Sequence, residues 1–169
     1  QALSQRACWD PRARAEVLEL LASPCPELRV RGLWALQFQS RSDETGDTLA
    51  FLEERLEEAA GSGDAAMLDA VVRCLAGVPG QAARLAQDPR EIVRSALAVH
   101  ASALAPELLE ELAGDTSVRV RIALASALGT GASWPPGLVW RLAADRDAEV
   151  RCTLAEALDS EEPAFAPLR

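Results

Sequence analysis

The chain has 169 residues, 49% of them hydrophobic, which is enough to bury a continuous core as one domain. Its formal net charge is −9 with a pI near 4.7, and all 17 basic residues are arginine. The absence of Lys, Asn and Tyr reads as the codon bias of a GC-rich genome, and it excludes a Schiff-base lysine, a P-loop and an N-glycosylation acceptor.

Residues 1–10, with Arg6 and Trp9, read as a leader or a helix remnant, and Gln1 in place of Met points to a trimmed chain or part of a longer array. Ala13 to Ala22 predicts a helix that Pro24 and Pro26 break, and Glu27 to Gln39 its partner, with Val30, Arg31 and Trp34 on the packing positions. Ser40 to Gly46 is polar and turn-rich. Asp47 or Thr48 then caps a helix to Ala60, with Leu49, Leu52, Leu56 and Ala59 on one side and Glu53, Glu54, Glu57 and Glu58 on the other. From Asp43 to Asp69 there are nine acidic residues against Arg55 alone, so nearly all the net charge sits here. That reads as a solvated face, with a docking face for a basic partner as the alternative. Gly61-Ser-Gly63 turns the chain into a helix from Asp64 to Ala76, with Met67 or Leu68, Val71, Val72 and Leu75 inward, and Gly77-Val-Pro-Gly80 breaks it.

From here one phrase is written three times. Asp88-Pro-Arg-Glu-Ile-Val-Arg94-Ser-Ala-Leu97, Asp115-Thr-Ser-Val-Arg-Val-Arg121-Ile-Ala-Leu124 and Asp145-Arg-Asp-Ala-Glu-Val-Arg151-Cys-Thr-Leu154 share Asp-x4-Val-Arg-x2-Leu, with arginines 27 and 30 residues apart. A shorter apolar helix ending in Leu-Ala precedes each, at Leu85-Ala86, Leu112-Ala113 and Leu142-Ala143. A two-helix unit recurring at this period is the signature of a solenoid. Each Asp is expected to cap the helix that follows, with Pro89 at the first helical position. The Val and Leu of each phrase share a helix face and are expected in the core. The recurrence of Arg at a fixed offset predicts a structural ladder, Asp88, Arg94, Asp115, Arg121, Asp145 and Arg151, in which each Arg meets the Asp of its own or a neighbouring repeat. The plainer reading is a capping Asp and an unrelated solvated Arg. Gly129 to Pro136 lengthens the last spacing, and Trp134 there reads as a plug at a repeat junction in preference to an exposed contact. Residues 159–169 read as a tail or the start of a further repeat.

The Asp and the Arg six positions later resemble HEAT-type repeats, while Ala105-Pro-Glu-Leu-Leu-Glu-Glu-Leu-Ala-Gly-Asp115 followed by Val120-Arg121-Ile-Ala-Leu-Ala125 is similar to the leucine-rich repeat variant form. The resemblance is good over about residues 80–158 and fair over 1–79. It implies an all-α solenoid of about five helical hairpins, a single domain over 1–169 with degenerate repeats at 1–79 and regular ones at 80–158. Such arrays usually serve as binding scaffolds, though similar ones have been recruited to DNA-base repair, iron-dependent hydroxylation and bilin attachment.

The chemistry-bearing residues point away from catalysis. His100 is the only histidine, so a His/Glu di-iron set cannot be assembled, and its place in line with Ala127 and Ala157 predicts a helix-packed side chain. Cys8, Cys25, Cys74 and Cys152 lack the short spacing of a zinc or iron–sulfur site, and Cys8 and Cys25 alone cannot supply the N-terminal cluster of some leucine-rich repeat variant relatives. Reduced thiols in a cytoplasmic protein are expected, with no cofactor and no metal. No Gly-x-Ser-x-Gly elbow is present and no apolar run is long enough to span a membrane. A basic cluster at Arg6, Arg12, Arg14, Arg29 and Arg31 is the only feature favouring a nucleic acid, against an acidic pI.

A partner protein or peptide is therefore the leading expectation. Aligning the second helices gives constant columns at Val93, Leu97 and Ala98, and varying ones at Ile92/Arg119/Glu149, Ser95/Ile122/Cys152 and Val99/Ser126/Glu156. The varying columns form one stripe, and in solenoids the second helices commonly line the groove. Ile92, Ser95, Val99, Arg119, Ile122, Ser126, Glu149 and Glu156 are the expected partner-binding residues, with Ile92, Val99 and Ile122 exposed as a mixed apolar and charged patch. The alternative is that Ile92 and Ile122 pack against neighbouring helices. Competing functions are DNA binding or damaged-base recognition, and a metal- or cofactor-bearing repeat protein.

Overall fold

A computed structural model of the chain describes residues 47–128 and 134–159, together with scattered positions between 16 and 35. The sequence readings at Trp9, Trp34, the 40–46 linker, the 129–133 insert and the tail beyond Asp159 lie outside the described residues. The helices expected at 13–22 and 27–39 are described only at single positions, of which Glu16, Val17, Leu20, Leu28, Arg31, Gly32 and Ala35 are helical. Among the described residues every regular element is a helix, so the protein is all-α. The chain divides into two units, Gln1–Leu85 and Ala86–Arg169.

In the first unit, α1 (Asp47–Ser62) and α2 (Ala65–Ala76) pack as a hairpin. Leu52, Leu56 and Ala59 recur at helical spacing and are buried, while Glu54, Glu57 and Glu58 face solvent. The turn between the helices is made by Gly63 at φ +73, a left-handed conformation that costs a side-chain-bearing residue about 1 kcal/mol or more. Asp64 then caps α2, accepting the Met67 amide at 3.0 Å. Both Met67 and Leu68 are buried, with Val71, Val72 and Leu75, so α2 is apolar over most of its circumference. Within the acidic stretch Arg55 lies over the Phe51 ring at 5.4 Å and is held by Glu54 at 3.0 Å and by Glu58. A short helix, α3 (Gln81–Ala86), follows, and Arg84 on it reaches Glu53 of α1 at 2.8 Å.

The second unit repeats one motif. A helix α4 (Glu91–Val99) and a 3₁₀ turn (Ala101–Ala103) lead to α5 (Pro106–Ala113), α6 (Val118–Ala127), α7 (Pro136–Ala143) and α8 (Ala148–Asp159). The longer helix α6 packs against both α4 and α8; the shorter α5 and α7 lie together, each against the long helix that follows it. Between these two layers sit Val93, Leu97, Leu112, Val120, Leu124, Leu138, Leu142, Val150 and Leu154, each at most 3% exposed. Each such side chain stabilises the unit by roughly 1.5–3 kcal/mol relative to exposure. Pro106 and Pro136 occupy first-turn positions of the short helices, where the missing amide hydrogen is harmless.

Two local expectations are corrected. The helices start later than the aspartates imply: α4 begins at Glu91 with Arg90 as its N-cap, and α6 at Val118 with Ser117, so Asp88 and Asp115 are not caps and Pro89 is outside the helix. The cause is that each aspartate accepts the amide two residues on, at 2.9 Å for Arg90, 2.7 Å for Ser117 and 2.8 Å for Asp147, closing a tight turn before the helix begins. α4 likewise stops at Val99, so His100 is its half-buried C-cap, its amide donating to the Leu97 carbonyl at 2.9 Å. Trp134 is half-buried and its indole Nε1 donates to the Leu128 carbonyl at 2.7 Å, which ties the entry to α7 onto the end of α6.

Candidate functional site

The charged residues of the repeated phrase are brought together as a relay running one way along the second unit. Arg94 grips the Asp115 carboxylate with Nε at 2.7 Å and Nη2 at 3.0 Å, while its Nη1 donates to the Asp88 carbonyl at 2.7 Å. Arg121 repeats this on Asp145 at 2.7 and 3.1 Å, with Nη1 on the Asp115 carbonyl at 2.7 Å. Among the described residues Arg151 keeps only the main-chain half, donating to the Asp145 carbonyl at 2.7 Å. Arg94 and Arg121 thus bind the backbone of their own turn and the carboxylate of the next. Two parallel N–H donors match the two carboxylate oxygens, a geometry that only arginine provides. At the head of the relay Asp88 takes no such donor among the described residues and is held instead by Arg90, at 2.9 and 2.8 Å.

The electrostatics follow this geometry. The Arg90 side chain donating to Asp88 holds that carboxyl below its ordinary range. Burial pushes Asp115 and Asp145 upward, but the guanidinium and amide donors outweigh it, and both carboxyls end below the usual value. Arg94 is shifted upward chiefly by its bond to Asp115. With side-chain exposures of 4% and 8%, the Arg121–Asp145 pair is buried, and Arg121 is the one charged residue of the described core. A paired, fully hydrogen-bonded arrangement is the form in which such charges are tolerated in an interior.

Beside the relay, the long helices leave an open groove of about 720 Å³ lined by Ser95, Val99, Val118, Arg119, Ile122, Ala123, Ser126, Ala127 and Glu149. Six of the eight expected partner-binding residues meet here: Ser95, Val99, Arg119, Ile122, Ser126 and Glu149. Ile92 and Glu156 are exposed but do not line it. Ile92 is 37% and Val99 53% exposed, whereas Ile122 is half-buried, nearer the alternative of packing against neighbouring helices, because α6 is flanked by a helix on each side. Val118, Ala123 and Ala127 were not read as partner-binding from sequence, although Val118 lies four residues before Ile122 and Ser126 four after, the spacing of one helix face. At one end Glu91 accepts from the Ser117 hydroxyl at 2.7 Å and from Arg119 at 3.4 Å, and the first of these bonds leads the lowering of its carboxyl.

The thiols differ in environment. Cys74 is buried on α2 and burial pushes it up to about 12, so it is protonated and inert at neutral pH, whereas Cys152 is exposed on α8. Among the described residues no three His, Cys, Asp or Glu side chains could share a metal ion. No described helix is long and apolar enough to cross a membrane. Compared with protein-family models, curated proteins and solved structures, the chain matches none.

Proposed function

We propose that this protein is an α-solenoid interaction module that binds a partner protein or peptide in the groove lined by its long helices, without catalysis of its own. The observation that carries the reading is the convergence on one groove of Ser95, Val99, Arg119, Ile122, Ser126 and Glu149, all drawn from columns that vary between the repeats. Constant columns build the scaffold and varying columns face the opening, the division of labour expected of a repeat protein that recognises a specific ligand. The lining is apolar at Val99, Val118 and Ile122 and bounded by Arg119 and Glu149, which suits an amphipathic segment. Concave, mainly apolar sites with a few polar groups at their edges are the usual form of a ligand site.

Selection of short peptides from a displayed random library against the full chain tests this. Enriched sequences should share an apolar pattern and bind with micromolar affinity, and Val99→Glu or Ser126→Glu should weaken them roughly tenfold or more. Trp140→Ser, on the short-helix layer, should leave affinity unchanged. Peptides indifferent to both groove variants would remove the groove as the site, and selective retention of an oligonucleotide would favour the nucleic-acid alternative.

A further inference from the structure

The groove has two unlike walls. α4, α6 and α8 lie side by side with α6 in the middle. On the α4 side stand Ile92 and Val99, and on the α8 side Glu149 and Glu156, all four exposed. Val99 and Glu149 line the groove itself, and Ile92 and Glu156 extend the two walls past it. Each pair is seven residues apart, two helical turns, so its members share a face and stand about 10 Å from each other along the axis. Between the walls α6 supplies Ile122 and the small side chains of Ala123, Ser126 and Ala127 as a low floor.

The acidic wall is not neutralised from within. Of the arginines on the three long helices, Arg94 and Arg121 are committed to Asp115 and Asp145, Arg151 is turned to the Asp145 carbonyl, and Arg119 pairs with Glu91 on α4. Among the described residues no cation meets the carboxylate of Glu149 or Glu156. An exposed charge pair adds little affinity by itself, but two in register select one sign and one spacing of ligand.

We propose that the groove takes an amphipathic helix of a partner protein, with apolar side chains along one edge, covering Ile92, Val99 and Ile122, and two basic residues seven apart along the other, meeting Glu149 and Glu156. This rests on the groove being a binding site and adds the charge and spacing of what it binds. A helix repeats both walls' two-turn interval on one side of itself. In an extended chain the same interval falls at about three residues, where side chains point to opposite faces. The matching pattern is foreign to this chain: it has no lysine, and no two of its 17 arginines stand seven residues apart. A further repeat would pack on the side of α8 away from α6, since α6 itself packs against a long helix on each side, and the groove would stay open.

Two selections from one displayed library of random peptides decide this, on the full chain and on a charge-reversed one, Glu149→Arg with Glu156→Arg. The unchanged chain should enrich Arg or Lys at positions seven apart beside an apolar edge, and the reversed chain Asp or Glu at those two positions. A peptide synthesised from the first selection should bind the Glu149→Gln, Glu156→Gln chain roughly tenfold more weakly in about 50 mM salt, and the loss should shrink in about 500 mM. A proline placed between its two basic residues should abolish binding. Peptides lost with Val99→Glu but selected alike by the two chains, or carrying basic residues three apart, overturn this inference and leave the groove standing as a site. Peptides indifferent to Val99→Glu, or no enriched peptide at all, overturn both. A synthetic peptide of residues 1–15 or 160–169 that binds as tightly as the selected one would make the occupant a segment of this chain and overturn its assignment to a partner protein.

Discussion

A single phrase places arginine in three burial states: half-buried at Arg94, 4% exposed at Arg121 and exposed at Arg151. The residue type and its local offset do not set the environment; the neighbour does. Removing one partner of the buried pair should therefore be costly, and Asp145→Ala is expected to lower stability by roughly 3 kcal/mol in urea unfolding, because it strands the Arg121 charge. By contrast Arg141→Ala, which breaks the solvent-facing pair with Glu110 at 3.2 Å, should change stability by less than about 0.5 kcal/mol. The relay carboxyls also set an acid limit. Asp88, Asp115 and Asp145 are all depressed in the folded state, so the unfolded chain takes up protons first as pH falls. Their stabilisation is complete above the unfolded value of about 3.9 and is lost as pH drops through the lower folded values. Melting temperature followed from pH 6 to pH 2.5 should fall steeply below about pH 4, and Asp115→Asn should flatten that fall.

At the scale of the helix, the buried faces were legible because Val93, Leu97 and their counterparts recur at one spacing, and burial follows spacing directly. The helix starts were not. An aspartate before an apolar run signals a cap, yet here it serves a turn two residues earlier and an arginine from the preceding repeat, and sequence carries no mark of which demand prevails. The direction of the relay was equally hidden, since an offset of six residues suits the arginine's own turn and says nothing of the next. Both contacts form. For Ile122 the sequence left two readings open, exposed on the stripe or packed against neighbouring helices, because a periodic pattern gives a face and not the helices that flank it. The junction before α7 depends on Trp134, whose indole satisfies the Leu128 carbonyl at the end of α6. Trp134→Phe keeps the ring and removes that donor, so a loss of about 1 kcal/mol is expected in chemical denaturation. Leu124→Ala, at the centre of the layered core, should cost about 3 kcal/mol by the same measurement.

At the scale of the molecule, the two units differ in how charge is used. The first concentrates acidic side chains on the outward face of α1, while the second takes two ion pairs, Arg94–Asp115 and Arg121–Asp145, largely out of solvent. Residues 86–169 contain their own layered core and the whole relay, so the isolated stretch should fold alone. Its far-ultraviolet circular dichroism should be helical and its urea transition cooperative; a gradual, non-cooperative melt would show that the second unit depends on the first.

The relay also works as a ruler. Arg94 finds Asp115 across 21 residues and Arg121 finds Asp145 across 24, yet the two clasps agree within 0.1 Å. The three additional residues are absorbed before α7, leaving the spacing between neighbouring long helices indexed by charge. Genetic insertions and deletions in those connecting segments would therefore pass without altering how neighbouring long helices pack, whereas a slip by even one helical turn between them would leave two opposite charges stranded in the interior. Length can vary in this protein where the chain links its layers, and its phase is kept where arginine meets aspartate.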